Sequence, residues 1–397
     1  TGLEQIITFD HTEHPPTLNG RQIVQDKLDR TTCLVAHNAV HDLMWLWESG
    51  FTYNGEVFDT MLGEYVLQRG QKEPLSLEAC AERHNLDTKK QDTLKEYFKQ
   101  GLNVSEIPHS ELSEYLSADL HATQQLYRCQ DKQYSYGAGS TLVDTIRLTN
   151  QLAIHLARIY QRGFKVDLDT LEEVRKEFEA EKQALRIKLD EQVYKLMGDR
   201  PINLNSPEQL SWIIYSRKVN DKPTWASAYE GLYRVSKSQH IENTSLMTTK
   251  LFKQKAERCN ECRGSGYIRK IRKNGMPHKN TNKCPTCSSS GFLYTNMNEY
   301  AGLKFNAPDS KWVSAHGFST SKDSLIFLEG IARSRGMHDA ELFLQRVRRL
   351  SALDTYLSSF VEGIFTHVKQ DGMLHVRLLQ HRTGTGRLSG ADPNMQN

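Results

Sequence analysis

Hydrophobic and polar positions change their spacing several times along the chain, and the first third has the pattern of an α/β domain. Two short apolar runs, at 6–9 and 32–36, predict buried strands. Apolar residues at helical spacing around them predict helices over 40–48, 59–68, 76–84 and 111–131. Strands and helices in this alternation indicate an α/β fold for residues 1–138.

The pattern from 139 to 217 is helical instead. It predicts two successive helices interrupted at Gly163, and a third that starts at Ser206-Pro207, a favourable cap followed by a favourable first residue. Residues 218–312 are polar and basic, which indicates an insertion, and helical spacing returns at 321–333 and 340–360. The sequence therefore predicts a mainly α region, with an insertion, after the α/β domain.

Positive charge is concentrated in that insertion. The chain of 397 residues has a formal net charge of +3, whereas the stretch 250–283 alone carries +9, from eleven Lys or Arg against two acids. A basic segment on an acidic body indicates a local contact with a polyanion. No run of 18 apolar residues occurs, so the sequence predicts no membrane span and no membrane partner.

Four of the seven cysteines form two Cys-x-x-Cys pairs in the insertion, Cys259 with Cys262 and Cys284 with Cys287. Two such pairs, 21 residues apart, predict a tetrahedral Cys₄ site for Zn²⁺, and redox pairing is the alternative. Because all four ligands are thiolates, no position remains for water, and we expect the zinc to be structural. We also expect a reducing, cytoplasmic environment, since no signal peptide is evident.

Two carboxylates are candidates for catalysis. Asp42 follows a predicted buried strand and opens a helix, a position where α/β folds bind ligands. Tyr115 and Asp119 are four residues apart on a predicted helix and share one face. Taken singly, Asp42 has an alternative role as a partner of the helix dipole, and Asp119 as a solvated helix charge.

Taken together, Asn38-x-x-x-Asp42 and Tyr115-x-x-x-Asp119 resemble the second and third motifs of the DEDDy 3′–5′ exonucleases, which have an RNase H-like fold. The resemblance implies that Asp42 and Asp119 bind two Mg²⁺ ions, that Tyr115 positions the attacking water, and that Asn38 contacts DNA. The first motif of that family, Asp-x-Glu, is absent from these residues. We therefore expect the chain to be a fragment with an incomplete set of metal ligands.

The C-terminal stretch 383–397 resembles the Thr-Gly-Arg-Leu-Ser-Ser…Pro-Asn-Leu-Gln-Asn signature of family A DNA polymerases, with Gly390 and Met395 as departures. The resemblance implies that Arg387 contacts the primer terminus in the minor groove, where hydrogen-bond acceptors vary little with sequence. It implies further DNA contacts in the same stretch and at the start of the Ser206 helix, at Thr385, Asn394, Gln396, Asn203 and Ser206. The polymerase carboxylate motifs are absent from these residues, so the resemblance implies membership of the family rather than polymerase activity of the fragment.

This resemblance gives the predicted regions their names. We expect an N-terminally truncated 3′–5′ exonuclease domain at 1–138, thumb or linker helices at 139–217, a zinc-binding insertion at 218–312, and the continuation of the thumb with the start of the palm at 313–397. The insertion also resembles the zinc module of DnaJ-type chaperones. We hypothesise that it clamps DNA or docks a processivity factor, with phosphate contacts from Arg269, Lys270, Arg272 and Lys273. A solvated basic hairpin that binds nothing is the alternative.

The whole sequence thus predicts a proofreading, DNA-templated DNA polymerase that acts in replication. Its partners would be a primer-template, a single-stranded 3′ end and, for the full-length protein, dNTPs. The insertion and the details of the exonuclease motifs indicate a phage source, which would place the protein in the host cytoplasm. The alternatives are a stand-alone 3′–5′ exonuclease of the RNase D type and a non-catalytic, zinc-containing DNA-binding protein.

Overall fold

The computed structural model of the chain describes residues 4–86, 94–137, 139–220, 223, 225, 248–271, 277–306, 313–314 and 317–396. The chain divides into two compact units. Unit 1 comprises Thr1–Leu168 together with Ser359–Asn397, and unit 2 comprises Asp169–Ser358. The four regions predicted from the sequence are defined by their expected roles and not by their compactness. Their boundaries stay a prediction.

The described residues form twelve α-helices. In chain order they are α1 (Gly20–Arg30), α2 (Ala39–Glu48), α3 (Thr60–Leu67), α4 (Leu77–Arg83), α5 (Leu94–Lys99), α6 (His109–Tyr136), α7 (Val143–Arg162), α8 (Leu168–Met197), α9 (Pro207–Tyr215), α10 (Lys322–Ser334), α11 (His338–Thr355) and α12 (Glu362–His367). A π-helical stretch, Tyr356–Val361, follows α11. Within the described part of the chain, none of these helices has both the length and the apolar character that a membrane span requires.

The strands of the described residues are short, and each pairs with one other strand. They are β1 (Cys33–Ala36), β2 (Glu56–Asp59), β3 (Phe164–Lys165), β4 (Arg217–Val219), β5 (Thr248–Lys250), β6 (Phe252–Arg258), β7 (Tyr267–Ile271), β8 (Pro277–Lys283), β9 (Phe292–Tyr300), β10 (Val313–Ser314), β11 (Gly317–Phe318), β12 (Met373–Leu374), β13 (Arg377–Leu379) and β14 (Ser389–Ala391). β1 and β2 are parallel, and every other pair is antiparallel.

Unit 1 is built around the β1–α2–β2 segment. The parallel pair aligns Ala36 with Asp59 at the carboxyl ends of its strands. The apolar faces of α2 and α7 pack together around the fully buried Ala39, Leu43 and Ala157, as amphipathic helices do. The four helices predicted before residue 138 are confirmed as α2, α3, α4 and α6, and the strand predicted at 32–36 is confirmed as β1.

The prediction of a strand at 6–9 is wrong. This segment is irregular, and Ile6 and Phe9 are 41% and 43% exposed rather than buried. Its backbone groups bond locally: the N–H of Thr8 donates to the hydroxyl of Thr17 at 2.9 Å, and the N–H of Thr17 donates to the carbonyl of Thr8 at 2.7 Å. These bonds satisfy polar groups that a sheet partner would otherwise have to satisfy.

Unit 2 has a helical core, formed by the last turns of α8 together with α9, α10 and α11. α9 begins as predicted, because the hydroxyl of Ser206 accepts the N–H of Gln209 and Pro207 occupies the first helical position. The four cysteines form a separate small buried cluster next to the β6–β9 and β7–β8 ribbons. A second core built from four thiols is what a metal-stabilised insertion requires, since its sequence is too polar to form a core of its own.

A buried ion-pair network ties three helices of unit 1 together. The Glu64 carboxylate on α3 accepts hydrogen bonds from Arg83 at 2.7 Å, His84 at 2.9 Å and Gln130 at 3.0 Å. Arg83 ends α4, and Gln130 lies on α6. Burial alone would raise the pKa of Glu64, but the hydrogen bonds from His84 and Arg83 outweigh it and lower this pKa to about 2.

Acid should therefore weaken unit 1 through Glu64. The folded pKa lies below the ordinary value of 4.5, so the contribution of the network is complete above pH 4.5 and is lost as pH falls toward about 2. We expect Glu64→Gln to lower the free energy of unfolding by about 3 kcal/mol near pH 6, with the difference shrinking toward pH 2. Urea unfolding at a series of pH values measures this, with the exposed Glu82→Gln as control. A difference that stays constant across this range would contradict the assignment.

Candidate functional site

The first predicted site residues lie where β1 ends and α2 begins. Asn38 precedes α2 with a left-handed φ of 70°, and its side chain makes no capping hydrogen bond. Asp42 lies in the first turn of α2, where the helix dipole favours a negative charge. Asp42 is an exposed residue, yet the surrounding protein partly desolvates its carboxyl group and raises its pKa to about 6.

A fully buried carboxylate, Asp59, holds this junction together. One of its oxygens accepts the N–H groups of Asn38 at 3.0 Å, Met61 at 2.9 Å and Leu62 at 3.3 Å, and the other accepts the N–H of Ala39 at 2.9 Å. Asp59 thus caps α3 and binds the first residues of α2 at the same time. Burial raises the pKa of Asp59, and these four donors oppose that shift.

His37 connects the junction electrostatically to α6. Its ring nitrogens contact the hydroxyl of Thr60 and the carbonyl of Leu75, each at 2.9 Å. Burial lowers the pKa of His37, while the carboxylates of Asp59 and Asp119 act in the opposite direction. Asp119 is therefore close enough to influence the half-buried His37 ring, which contacts the start of α3. In the sequence, Asp59 is only the start of the helix predicted at 59–68 and His37 only the residue after the strand predicted at 32–36, so neither is predicted as a site residue.

Tyr115 and Asp119 lie one turn apart on α6, as predicted, and both side chains are half-buried. In the part of the chain that the structure describes, only the four cysteines bring three or more potential metal ligands together. Asp42 and Asp119 therefore do not belong to a complete cluster of carboxylates within the described residues. Their assignment as metal ligands stays a prediction.

Two neighbouring cavities of unit 1 open at the β1–α2 junction, with volumes of about 430 and 610 Å³. Asn38, Met61 and His381 line both of them, whereas Asp42, Tyr115 and Asp119 line neither. Arg377 lines the first cavity and Arg382 the second. Cationic walls beside an exposed amide suit a polyanionic chain.

The C-terminal segment reaches these cavities because a residue of α3 holds it there. The Tyr65 hydroxyl on α3 donates to the carbonyl of Thr383 at 2.7 Å. The Thr383 hydroxyl in turn donates to the carbonyl of Arg387 at 2.6 Å and closes the turn. Thr385 and Arg387 in this turn are exposed. Their side chains are thus available for the predicted contacts with DNA, which no contact in the structure tests.

The remaining predicted DNA contacts are partly engaged in local structure. The amide oxygen of Asn394 accepts the backbone N–H of Gln396 at 3.1 Å, and both side chains are exposed. In unit 2, the amide oxygen of Asn203 accepts the N–H of Asn205 at 3.0 Å, just before Ser206 caps α9. These bonds give Asn203 and Ser206 a structural role beside the predicted one.

The predicted zinc ligands converge. The sulfur atoms of Cys259 and Cys284 are 3.9 Å apart, those of Cys262 and Cys287 are 3.6 Å apart, and all four lie within 4.8 Å of one another. All four residues are buried, and no disulfide links them. Four buried thiols gathered at one point have the donor chemistry and number of a structural metal site.

Backbone N–H groups point at this cluster. The N–H of Gly266 donates to the Cys262 sulfur and the N–H of Gly291 to the Cys287 sulfur, each at 3.3 Å. Burial opposes ionisation of Cys262, but the Gly266 N–H and the neighbouring thiols lower its pKa to about 7. Thiolate character at neutral pH is what a metal ligand needs.

Of the predicted basic contacts of the insertion, Arg269 is exposed on β7. Lys270 lies on the same strand, and its side chain is outside the described residues, as are Arg272 and Lys273 altogether.

Comparisons with known proteins bear on both units. Residues 17–133 match the family model of a 3′–5′ exonuclease. The chain is 27% identical over 189 residues to DNA polymerase I of Synechocystis sp. The aligned stretch covers 47% of this chain and 18% of that protein. The chain is also 22% identical over 360 residues to DNA polymerase I of Bacillus subtilis. That aligned stretch covers 90% of this chain and 28% of that protein. The chain thus spans less than a third of the length of either curated relative.

Among solved structures, the polymerase domain of Pol1 from M. smegmatis, in complex with DNA primer-template and dNTP, has a similar fold. The TM-score is 0.54 at 18% identity, with 96% of this chain and 46% of that chain covered. Taken with the family model, the stretch 17–133 of unit 1 is a 3′–5′ exonuclease domain. Over most of its length the chain resembles a family A DNA polymerase.

Replacing Asp59 tests the junction. We expect Asp59→Asn to destabilise unit 1, because an amide has one acceptor oxygen for four N–H donors and its NH₂ group would face some of them. The cost is about 1–3 kcal/mol for each N–H left without an acceptor. Thermal and urea unfolding measure it, and the exposed Asp26→Asn on α1 is the matched control. Equal stability of the two variants would contradict the role assigned to Asp59.

Proposed function

We propose that unit 1 removes nucleotides from single-stranded 3′ ends of DNA, as the proofreading exonuclease of a replicative family A DNA polymerase. The observation that supports this most is the position of the two motifs within the matched exonuclease domain. Asn38 and Asp42 lie at the carboxyl end of a parallel strand, and Tyr115 and Asp119 lie one turn apart on α6. An RNase H-like fold would bring both motifs to one edge of the sheet.

In this proposal, Asp42 and Asp119 hold Mg²⁺ through hard oxygen ligands, which suit that ion. The bound ions would supply Lewis acidity for phosphodiester hydrolysis. The residues of the chain do the remaining work. Tyr115 orients the attacking water beside Asp119, Asn38 contacts the DNA strand from the cavity wall, and Asp59 keeps Asn38 in place through its backbone N–H.

We further propose that the segment after β12 begins the palm of the polymerase and that α8–α11 belong to its thumb. The exposed Arg387 would contact the primer terminus, with Thr385, Asn394 and Gln396 beside it. Primer-template and dNTPs would be substrates of the whole protein, acting in the cytoplasm. A stand-alone exonuclease or a non-catalytic DNA-binding protein accounts less well for the resemblance of 383–397 to a polymerase signature.

The cysteine cluster would hold one structural Zn²⁺, since four thiolates complete a tetrahedral shell. The metal would keep the β6–β9 and β7–β8 ribbons in place and present the basic side chain of Arg269 to DNA phosphates, together with Lys270, Arg272 and Lys273.

The exonuclease proposal is tested with a 5′-labelled single strand and Mg²⁺. We expect Asp42→Asn and Asp119→Asn each to slow release of 3′ nucleotides by roughly 10²-fold or more, because each removes an anionic ligand of the Mg²⁺ ions, whose positive charge would stabilise the transition state. Tyr115→Phe should slow the reaction while leaving DNA affinity within about twofold. Asp131→Asn, an exposed carboxylate farther along α6, is the control. Native rates in the Asp119 variant would refute the proposal.

The zinc proposal predicts about one Zn²⁺ per chain after purification without added metal. Cys284→Ser should lose the ion and leave the remaining cysteines of the cluster reactive, whereas Cys129→Ser, outside the cluster, should keep it. Metal analysis and thiol titration measure both quantities. A native protein without zinc and with an oxidised Cys pair would favour the redox alternative instead.

A further inference from the structure

The metal cluster consists of two copies of one local structure, and the copies extend beyond the cysteines. Each begins with a cation, continues through Cys-x-x-Cys, and ends with Ser-Gly and an aromatic residue. The first copy runs from Arg258 through Cys259, Cys262, Ser265 and Gly266 to Tyr267, and the second from Lys283 through Cys284, Cys287, Ser290 and Gly291 to Phe292.

The backbone repeats this symmetry. The N–H of Cys259 donates to the carbonyl of Gly291 at 3.0 Å, and the N–H of Cys284 donates to the carbonyl of Gly266 at 2.9 Å. Both glycines have left-handed φ values, +74° and +79°. A Cβ added at either would lie 2.4 Å from a carbonyl oxygen of the other copy, so no other residue fits. Reciprocal hydrogen bonds and close backbone contacts at the two glycines therefore hold the copies against each other.

Equivalent hydroxyls fix the residues that follow. The Ser265 hydroxyl donates to the carbonyl of Tyr267 at 2.8 Å, and the Ser290 hydroxyl donates to the carbonyl of Phe292 at 2.6 Å. Both aromatic side chains point away from the core, with 49% of Tyr267 and 40% of Phe292 exposed. The structure thus places two solvent-facing aromatic rings at matching positions beside the metal cluster.

Each ring is paired with a cation across its ribbon. Phe292 on β9 is the cross-strand partner of Arg258 on β6, and Tyr267 on β7 is the partner of Lys283 on β8. Both cations are exposed. Directly opposite residues project to the same face of a two-stranded ribbon, so each ribbon carries an aromatic and a cation side by side. We call these two pairs the cation–aromatic rungs.

We propose that the two cation–aromatic rungs bind single-stranded nucleic acid, with Tyr267 and Phe292 stacking on bases and Arg258 and Lys283 contacting phosphates. This inference deepens the proposed function, on which it rests for DNA as the polymer. Exposed rings beside cations are the combination that grips a flexible single strand without sequence preference. A duplex covers the faces of its bases, so stacking on the rungs requires an unpaired strand.

The surrounding charge also favours this ligand. The stretch 250–283, which contains Arg258, Tyr267 and Lys283, carries a net charge of +9, which attracts a polyanion. An unfolded polypeptide, the other polymer that exposed aromatic residues can hold, has no corresponding charge. The rungs differ from the proposed phosphate contacts at 269–273, because they supply a site for the bases as well.

The test uses the complete protein and a fluorescein-labelled dT20 with a blocked 3′ end, in buffer without added Mg²⁺. We expect Tyr267→Ala combined with Phe292→Ala to weaken dT20 binding by roughly 10- to 100-fold, as loss of base stacking does. Tyr267→Trp combined with Phe292→Trp should restore it. Arg258→Gln combined with Lys283→Gln should lower the slope of log K against log salt concentration by about 0.7 for each lost contact.

Leu293→Ala is the matched control, because Leu293 follows Phe292 on β9 and projects to the opposite face of the ribbon. Zinc content, measured for every variant, shows that the cluster is intact. Binding of dT20 within twofold of native in the double alanine variant would overturn the proposal. So would an equal loss in Leu293→Ala, an equal loss for blunt duplex DNA, or binding of a denatured polypeptide in place of dT20.

The same variants separate this inference from the proposed function. Native hydrolysis of 3′ ends with unweakened dT20 binding in the double alanine variant refutes the rungs and leaves the exonuclease proposal standing. Hydrolysis that Asp119→Asn does not slow, with dT20 binding that depends on Tyr267 and Phe292, refutes the exonuclease proposal and supports the rungs.

Discussion

The carboxylate of Asp59 has no contact with solvent, and a charge in such a position needs hydrogen-bond donors on every side. Four backbone N–H groups supply them, two from the start of α3 and two from the residues that begin α2. The position of Asn38 follows from this interaction, since its N–H is one of the four. The walls of both cavities depend on it in turn, because Asn38 lines each of them. Unit 1 thus aligns two helix N-termini around one buried anion.

Unit 2 also buries ionisable groups, and there they are cysteine thiols. Four thiols are buried together, and backbone N–H groups of Gly266 and Gly291 point at two of them. This local structure occurs twice, and each copy also includes residues beyond its cysteines. Tyr267 and Phe292 occupy the same position in each copy, and both are exposed. The repeat that brings the four thiols together therefore also determines what the ribbons present to solvent.

Much of this organisation follows from the sequence, for reasons that are local. The spacing of the Cys pairs fixes the cluster, and Ser206-Pro207 fixes the start of α9. The strand expected at 6–9 fails, because strand formation depends on a partner and Thr17 satisfies these backbone groups instead. The role of Asp59 is local only in part. Its bonds to Met61 and Leu62 cap the helix that the sequence predicts from 59, whereas its bonds to Asn38 and Ala39 join segments some twenty residues apart, which only the fold brings together.

The central claim, that unit 1 binds and cleaves a single-stranded 3′ end, is tested most directly by a crystal structure. The protein would be soaked with a trinucleotide of thymidine and Mn²⁺ after Asp119→Asn has slowed hydrolysis. We predict the 3′-terminal nucleotide beside Asn38, with its phosphate near Asp42 and residue 119 and a metal ion on the Asp42 carboxylate. A trinucleotide bound elsewhere on unit 1, with Asp42 facing solvent and holding no ion, would contradict the assignment.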